Sequence, residues 1–353
     1  MTAQAPRAVI FGCEGLRLTA SERALFRQAD PWGFILFARN VESPTQLLTL
    51  TSELREITGR DLPILIDQEG GRVQRLRSPF WTEWPPALDQ CQHATDPARA
   101  MFLRGRLIAA ELRACGLNVN CAPLADIAAP TTHPILRNRC YGTNLSAVIS
   151  NARAMAEGLL TGGVLPVLKH IPGHGRATSD SHLALPVVDS SLAELEQVDF
   201  AAFRALADLP LGMTAHLLYP EIDPAAPATL SSRMIQLVRD EIGFHGVLMT
   251  DDISMQALQG PVGMRAKAAL AAGCDLVLHC NGQLSEMEEL ADCCPRLSVS
   301  AQARTDRALR HLAAPLEMDK GALEAEFRTL TDALCAQTEV VDGGVGNGAG
   351  TLG

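Results

Sequence analysis

The chain has 353 residues, of which 47% are hydrophobic, and its formal net charge is −10. This length can bury a large core, and it fits one eight-unit barrel of about 250 residues with additions as well as it fits two domains. The acidic balance and the lack of a long basic run argue against nucleic acid, and against an anionic membrane surface, as partners.

No apolar run reaches the roughly 18 residues that a membrane-spanning helix needs. The first residues also lack the charged region and the long apolar region of a signal peptide. We therefore expect a cytoplasmic protein. The ten cysteines are scattered and form no CxxC pair, which is typical of small buried hydrophobic residues in a reducing compartment.

Eight short apolar runs are predicted to form strands. They cover residues 8–11, 33–37, 63–66, 118–122, 165–168, 212–215, 246–250 and 275–279. These runs are nearly continuous in hydrophobicity rather than alternating, which is typical of parallel strands that are buried on both faces.

Helical patterns lie between these strands. Thr19 and Glu22 form the pattern of a capping box at the start of the first helix, and Gly59 follows the second. Further helices are predicted at residues 97–115, 146–160, 191–207, 232–242, 263–272, 285–293, 301–312 and 321–337. Residues 78–97 are rich in Trp, Pro and polar residues, and they are predicted to be a loop insertion.

The alternation of strand and helix predicts an α/β protein with a (β/α)8 TIM-type barrel. A doubly wound open sheet is the alternative, but eight units favour closure. We expect a single barrel domain with extra C-terminal helices at residues 1–338, followed by a flexible Gly-rich tail at residues 339–353.

Polar residues follow the predicted fifth strand. Pro172, Gly173 and Gly175 exclude a helix there, so Lys169 and His170 are predicted to lie on a loop. This loop leaves the carboxyl end of the strand, where α/β proteins bind their ligands.

Two carboxylates, Asp251 and Asp252, end the seventh apolar strand. Charges at such a position cost solvation energy unless they are used, so we expect one of them to face the mouth of the barrel. A cap for the next helix is the alternative reading.

Asp180 and His182 form a second candidate group. A carboxylate can orient a histidine for acid and base chemistry near neutral pH, although a solvated loop pair is the simpler reading. A metal site built from histidines is not expected, because Lys169 would repel the cation and the spacing of His170 and His174 suits a helix that cannot form here.

Three segments together resemble the signature of family 3 glycoside hydrolases, and more closely the bacterial β-N-acetylhexosaminidases of peptidoglycan recycling. They are residues 67–75 (Asp-Gln-Glu-Gly-Gly-Arg-Val-Gln-Arg), residues 169–182 (beginning Lys-His-Ile-Pro-Gly-His-Gly and ending Asp-Ser-His) and residues 250–255 (Thr-Asp-Asp-Ile-Ser-Met). The likeness covers nearly all of the chain before the tail. Ile171 stands where these enzymes usually carry Phe, and Thr250 where Ser is common.

The resemblance implies a retaining mechanism with a covalent glycosyl-enzyme. Asp251 would be the nucleophile, and His182, oriented by Asp180, would be the acid and then the base. The implied residues that bind the terminal GlcNAc are Asp67, Arg75, Arg139, Lys169 and His170, with His216 and Asn281 as weaker candidates for the pocket wall. The glycines at 173 and 175 predict that the loop carrying His182 moves over the bound sugar.

The implied substrate is GlcNAc joined β-1,4 to 1,6-anhydro-N-acetylmuramic acid, with or without a peptide. No cofactor is expected, the only expected partner is this small carbohydrate, and we expect a monomer. Three other functions remain open at this point: a phosphorylase that releases the sugar to phosphate, a β-glucosidase, and a sugar-binding protein without catalysis.

Overall fold

The computed structural model describes residues 4–179 and 184–342. Its parallel strands form one closed barrel of β1 (Arg7–Gly12), β2 (Pro31–Leu36), β3 (Ile64–Ile66), β4 (Val119–Asn120), β5 (Leu165–Ile171), β6 (Leu211–Thr214), β7 (Val247–Asp252) and β8 (Leu276–His279). Strands that follow each other in sequence pair side by side, and β1 closes the barrel against β8 with Val9 opposite Val277. The predicted (β/α)8 barrel is therefore confirmed, and the open sheet is excluded.

Alternate residues of the strands enter two separate apolar cores. Ile10, Ile35 and Leu65 belong to the core inside the barrel. Val9 and Phe34 belong to the larger core between the barrel and its helices. Successive side chains of a strand point to opposite faces, and both faces are buried here, which explains the continuous hydrophobicity of the strand sequences.

The helices that surround the barrel are α1 (Ala20–Ala29), α2 (Pro44–Thr58), α3 (Ala87–His93), α4 (Pro97–Ala114), α5 (Pro134–Arg137), α6 (Leu145–Thr161), α7 (Leu192–Gln197), α8 (Asp199–Ala205), α9 (Ser232–Asp240), α10 (Val262–Ala272), α11 (Leu284–Cys293), α12 (Val299–Leu309) and α13 (Lys320–Asp342). The predicted capping box of α1 is present: the Glu22 amide donates to the Thr19 hydroxyl at 3.2 Å, and the Thr19 amide donates to the Glu22 carboxylate at 2.8 Å. Within the described residues, no helix has both the length and the apolar character needed to cross a membrane.

Three predicted elements differ from the structure, and the first two are a helix and a loop. The helix predicted at residues 191–207 is divided at Val198 into α7 and α8. At this break Asp199 turns inward and accepts a hydrogen bond from Arg176 at 2.6 Å, a long-range contact that helical periodicity does not contain. The predicted loop at residues 78–97 contains α3, which packs against α4 and α13.

The fifth strand is longer than its apolar run. It continues through Lys169 and His170 to Ile171, so these polar residues lie on β5 itself and not on the loop that was predicted to carry them. A backbone bridge between Leu124 and Lys169 extends the pairing of β4 with β5 at this end of the barrel. The apolar run did not predict this extension, because the strand ends at a polar cavity and its last residues there are polar.

The last predicted feature of the fold is the tail. The final described helix ends at Asp342, and residues 343–353 lie outside the described part of the chain. The division into a barrel at 1–338 and a tail at 339–353 stays a prediction.

Candidate active site

A cavity of about 320 Å³ lies at the carboxyl ends of the barrel strands. Its polar lining consists of Asp67, Arg72, Arg75, Arg139, Lys169, His170, His174, Asp251 and Asp252, and its apolar lining includes Phe37, Val73, Ile135, Met213 and Met255. This volume is near the lower end of the range of about 300–1,000 Å³ for small-molecule sites, which suits a compact ligand. The cavity thus brings together Asp251 and all five predicted sugar-binding residues.

A short hairpin after β3 places the first of these residues. Its strands are Gln68–Gly70 and Val73–Gln74. The side chain of Asn120 on β4 makes two hydrogen bonds of 3.0 Å with the backbone of Gln68. The Gln68 side chain in turn accepts from the amides of Arg75 and Leu76, both at 3.0 Å. This closes the hairpin, so that the side chains of Asp67 and Arg75 meet at its base.

Five charged side chains form a continuous network in the cavity wall. The Lys169 Nζ lies 3.0 Å from the Asp67 carboxylate and 2.6 Å from the Glu69 carboxylate. At one end Arg75 pairs with Asp67 at 3.0 Å, and at the other Arg139 makes a two-pronged pair with Glu69 at 2.8 Å. Three cations surround two carboxylates, so this part of the wall carries one net positive charge.

The network keeps its members ionised. Burial would raise the pKa of Asp67, but Lys169 and Arg75 hold it well below its usual value. Burial likewise acts against the charge of Lys169, but Asp67 and Glu69 raise the pKa of the ammonium. Hydrogen-bond donors and acceptors of fixed charge therefore line this side of the cavity.

The two histidines of the cavity meet a buried carboxylate from the β4 loop. The Nδ1 of His170 lies 2.7 Å from Asp126, and the backbone amide of His174 donates to the same carboxylate at 2.6 Å. Burial, together with the neighbouring His170, lowers the pKa of His174 to about 4. His174 is therefore neutral at physiological pH.

The seventh strand delivers two carboxylates that differ in their surroundings. Asp252 accepts from the Ser254 amide and hydroxyl, at 3.1 and 2.7 Å, and from the Cys280 amide at 3.2 Å. Among the described residues, the hydrogen bond to the Asp251 carboxylate comes from the Asp252 amide at 2.8 Å. Asp252 is thus engaged in local structure, whereas most of the Asp251 carboxylate is available to a ligand.

Asp251 is also ionised. Burial would raise its pKa, but His216 and His170, with the amide of Asp252, hold it below the ordinary value. A carboxylate that is charged at neutral pH at the floor of a small polar cavity has the properties of a nucleophile or of an electrostatic stabiliser of positive charge.

The weaker candidates for the pocket wall have other contacts. His216 is buried behind β7, between the Thr229 hydroxyl at 2.7 Å and the Asp252 carbonyl at 2.9 Å. Asn281 donates to Glu286 at 2.7 Å. Neither is among the described residues that line the cavity, and their assignment to the pocket wall stays a prediction. Asp180 and His182 lie outside the described residues.

Sequence reasoning missed two carboxylates of the site. Glu69 lies in the matched segment at 67–75 and Asp126 follows β4, but neither was assigned a role. Their signal was an acidic residue close to the end of an apolar strand, the same signal that identified Asp67 and Asp251. The two residues that depart from the family pattern, Ile171 and Thr250, have structural contacts. Ile171 is buried in the outer core, and the Thr250 hydroxyl accepts from the Leu278 amide at 2.9 Å.

A family model, related sequences and a solved structure all match this chain. The model of the glycosyl hydrolase family 3 N-terminal domain matches residues 9–314. A β-hexosaminidase of Alkalilimnicola ehrlichii is 41% identical over 77% of this chain and 80% of its own length, and one of Bordetella avium is 36% identical over 96% and 97%. The crystal structure of NagZ from Neisseria gonorrhoeae with N-trifluoroacetyl-D-glucosamine superposes with a TM-score of 0.79 at 32% identity, covering 96% of this chain and 98% of that one.

A closed (β/α)8 barrel with an ionised carboxylate in a polar cavity, and with these relatives, defines a glycosidase. The chain belongs to glycosyl hydrolase family 3. Within that family its activity is of the β-N-acetylhexosaminidase type.

Proposed function

We propose that this enzyme is a retaining, exo-acting β-N-acetylglucosaminidase in which Asp251 forms a covalent bond to the sugar. The observation that carries the proposal is the ionised Asp251 carboxylate, largely free of structural hydrogen bonds, in the same small cavity as the charged network. A cavity closed below by the barrel admits the end of a glycan rather than its middle, which supports removal of a terminal residue.

In this mechanism Asp251 attacks the anomeric carbon as the bond to the leaving group breaks. The leaving oxygen takes a proton from His182, which Asp180 orients. Water then attacks the anomeric carbon while the same histidine removes its proton, and the bond from that carbon to Asp251 breaks, which releases the sugar and the free carboxylate. Asp67, Arg75, Arg139, Lys169 and His170 bind the hydroxyls and the acetamido group of GlcNAc and share the charge of the transition state.

The substrate we propose is GlcNAc on 1,6-anhydro-N-acetylmuramic acid, with or without its peptide, released by a monomeric cytoplasmic enzyme during cell-wall recycling. The names of the relatives support the hexosaminidase part of this proposal. The bound N-trifluoroacetyl-D-glucosamine of the Neisseria NagZ supports an N-acylated glucosamine in the cavity.

A fluorinated GlcNAc donor that traps the glycosyl-enzyme tests the mechanism. Mass spectrometry of the digested protein should find the sugar on Asp251, and Asp251→Asn should take up none while keeping its fold. Asp252→Asn is the matched control and should still be labelled. A label on any other residue, or no adduct in an active preparation, would overturn the assignment of the nucleophile.

Product analysis tests the substrate. GlcNAc-anhydro-N-acetylmuramic acid should be cleaved to free GlcNAc at a rate that added phosphate does not change, and aryl glucosides should be cleaved far more slowly than aryl GlcNAc. Formation of GlcNAc 1-phosphate would identify a phosphorylase. Preference for glucosides would identify a glucosidase.

A further inference from the structure

Asp126 is a buried carboxylate beside the cavity that the mechanism above does not use. It is 1% exposed and is not among the residues that line the cavity, whereas His170 and His174, which donate hydrogen bonds to it, are. Backbone contacts hold it there: the Ala125 amide donates to the Lys169 carbonyl at 2.8 Å, and the Lys169 amide donates to the Pro123 carbonyl at 3.1 Å. The loop after β4 is therefore fastened along the end of β5.

The Asp126 carboxylate accepts hydrogen bonds from three N–H groups of the neighbouring segment. Besides the His170 ring at 2.7 Å and the His174 amide at 2.6 Å, the His170 amide donates at 3.3 Å. Burial would raise the pKa of Asp126, but His170 and His174 hold it below its ordinary value. An ionised carboxylate can only accept, so the Nδ1 of His170 carries a proton and its Nε2 is the ring atom left for the cavity.

We propose that Asp126 is a positioning residue: it holds the imidazole of His170 in one orientation and one tautomer, with Nε2 presented to a hydroxyl of the bound sugar. This inference rests on the proposed function, since His170 is there a sugar-binding residue. Asp126 does not touch the sugar and acts only through His170. If the imidazole of His170 were not held, it would have to be ordered when the sugar binds, at a cost in entropy. In the other tautomer its Nε2 would present an N–H donor to the cavity instead of an acceptor.

Asp126→Asn is the sharpest variant. The amide keeps one oxygen for the backbone N–H groups, but its NH2 faces Nδ1 as a donor, so the favoured tautomer of His170 reverses. We expect kcat/KM on aryl GlcNAc to fall roughly 10- to 100-fold, in line with the loss of a charge-assisted hydrogen bond. The variant should keep the fold of the parent enzyme but have a lower free energy of unfolding, because the ionised Asp126 also stabilises the folded protein. Asp208→Asn, which changes an exposed aspartate paired with Arg153, is the matched control and should leave kcat/KM unchanged.

A double-mutant cycle separates positioning from general structural support. In a His170→Ala background the Asp126→Asn change should cost less than about 2-fold in kcat/KM, because the group through which it acts is gone. An equal loss in both backgrounds would show that Asp126 merely supports the loop and would overturn the proposal.

A spectroscopic measurement decides the same point without turnover. In protein with 15N-labelled histidine, the ring resonances of His170, assigned by their loss in His170→Ala, should report a proton on Nδ1 in the parent and on Nε2 in Asp126→Asn. Identical spectra would overturn the proposal. If the parent protein cleaved no GlcNAc substrate, the proposed function would fail, while this spectrum would still show whether Asp126 sets the tautomer.

Discussion

Lys169 is the residue on which the charge balance of the cavity depends. Its side chain is 2% exposed and pairs with two carboxylates, of which Glu69 is equally buried and Asp67 is 15% exposed. Removing one partner of a buried ion pair costs far more than the pair contributes, because an uncompensated charge is left behind. This charged wall of the cavity is therefore also a structural element of the barrel.

The Lys169→Met variant should lose about 3 kcal/mol of unfolding free energy, measured by urea denaturation, because Asp67 and Glu69 each lose a cation in a buried site. We place the loss at the lower end of the range for broken buried pairs, since Arg75 and Arg139 still contact these carboxylates.

The matched control for this prediction is Lys320→Met. Lys320 is exposed and lies 3.5 Å from Glu324 one helical turn away, a kind of pair worth about 0.3–0.5 kcal/mol. If the two variants lost similar amounts of stability, the buried network would not have the structural role that we assign to it.

The hairpin after β3 is the element that gives the cavity its shape. Arg104 of α4 is fully buried and donates to the backbone carbonyls of Glu69 and Pro85. This arginine therefore fastens the hairpin and the segment that follows it to the helix behind. Its guanidinium takes the space in which a side chain at position 70 would lie, and Gly70 has a φ of +112°.

The Gly70→Ala variant should accordingly be destabilised by about 3 kcal/mol, measured by chemical denaturation. Backbone strain at positive φ accounts for about 1–2 kcal/mol of this loss, and overlap of the new methyl group with the Arg104 guanidinium accounts for the rest. Activity should fall as well, because the hairpin carries Asp67 and Arg75.

Gly59→Ala separates the two causes. Gly59 also has a positive φ, of +65°, but no atom of the described residues lies within 4 Å of the position of its added methyl group. Only the backbone cost of about 1 kcal/mol is expected there. Equal losses at the two glycines would mean that the contact with Arg104 is unimportant.

At the scale of the whole molecule, the buried ionisable groups of the cavity make stability depend on pH. His174 has a pKa of about 4 in the folded protein against 6.5 when unfolded. Between these values the unfolded chain binds the extra proton, so stability is highest above pH 6.5 and falls as the pH drops towards 4. The pKa values of Asp67, Glu69 and Asp126 are also lowered in the folded protein, so protonation of these carboxylates at still lower pH reduces the stability further.

The free energy of unfolding should thus decrease by up to about 3 kcal/mol between pH 7 and pH 4 through His174. His174→Gln should flatten the profile of unfolding free energy against pH in this window, as measured by urea denaturation at a series of pH values. The surface variant His311→Gln is the control and should reproduce the parent profile. A parent profile without any slope in this window would contradict the prediction.

The amino-acid sequence alone determined the strands, most helices and the family of this protein. The strands and helices rest on local signals, namely continuous apolar runs, capping residues such as Thr19 and glycines after helix ends. The family rests on the three matched segments. Asp67, Asp251 and Lys169 could be singled out for a similar reason, since each lies close to the end of an apolar run, at the edge of the barrel that binds ligands.

The assembly of the site, in contrast, depends on contacts between residues that are far apart in the chain. Lys169 meets Asp67 across 102 positions of the chain, Arg139 meets Glu69 across 70, and His170 meets Asp126 across 44. No local pattern contains such distances. A place near a strand end could mark Glu69 and Asp126 as candidates, but it could not give their partners, and it could not show that His216 and Asn281 are absent from the described lining of the cavity. These long-range contacts form because closure of the barrel brings the ends of separate strands together around one cavity.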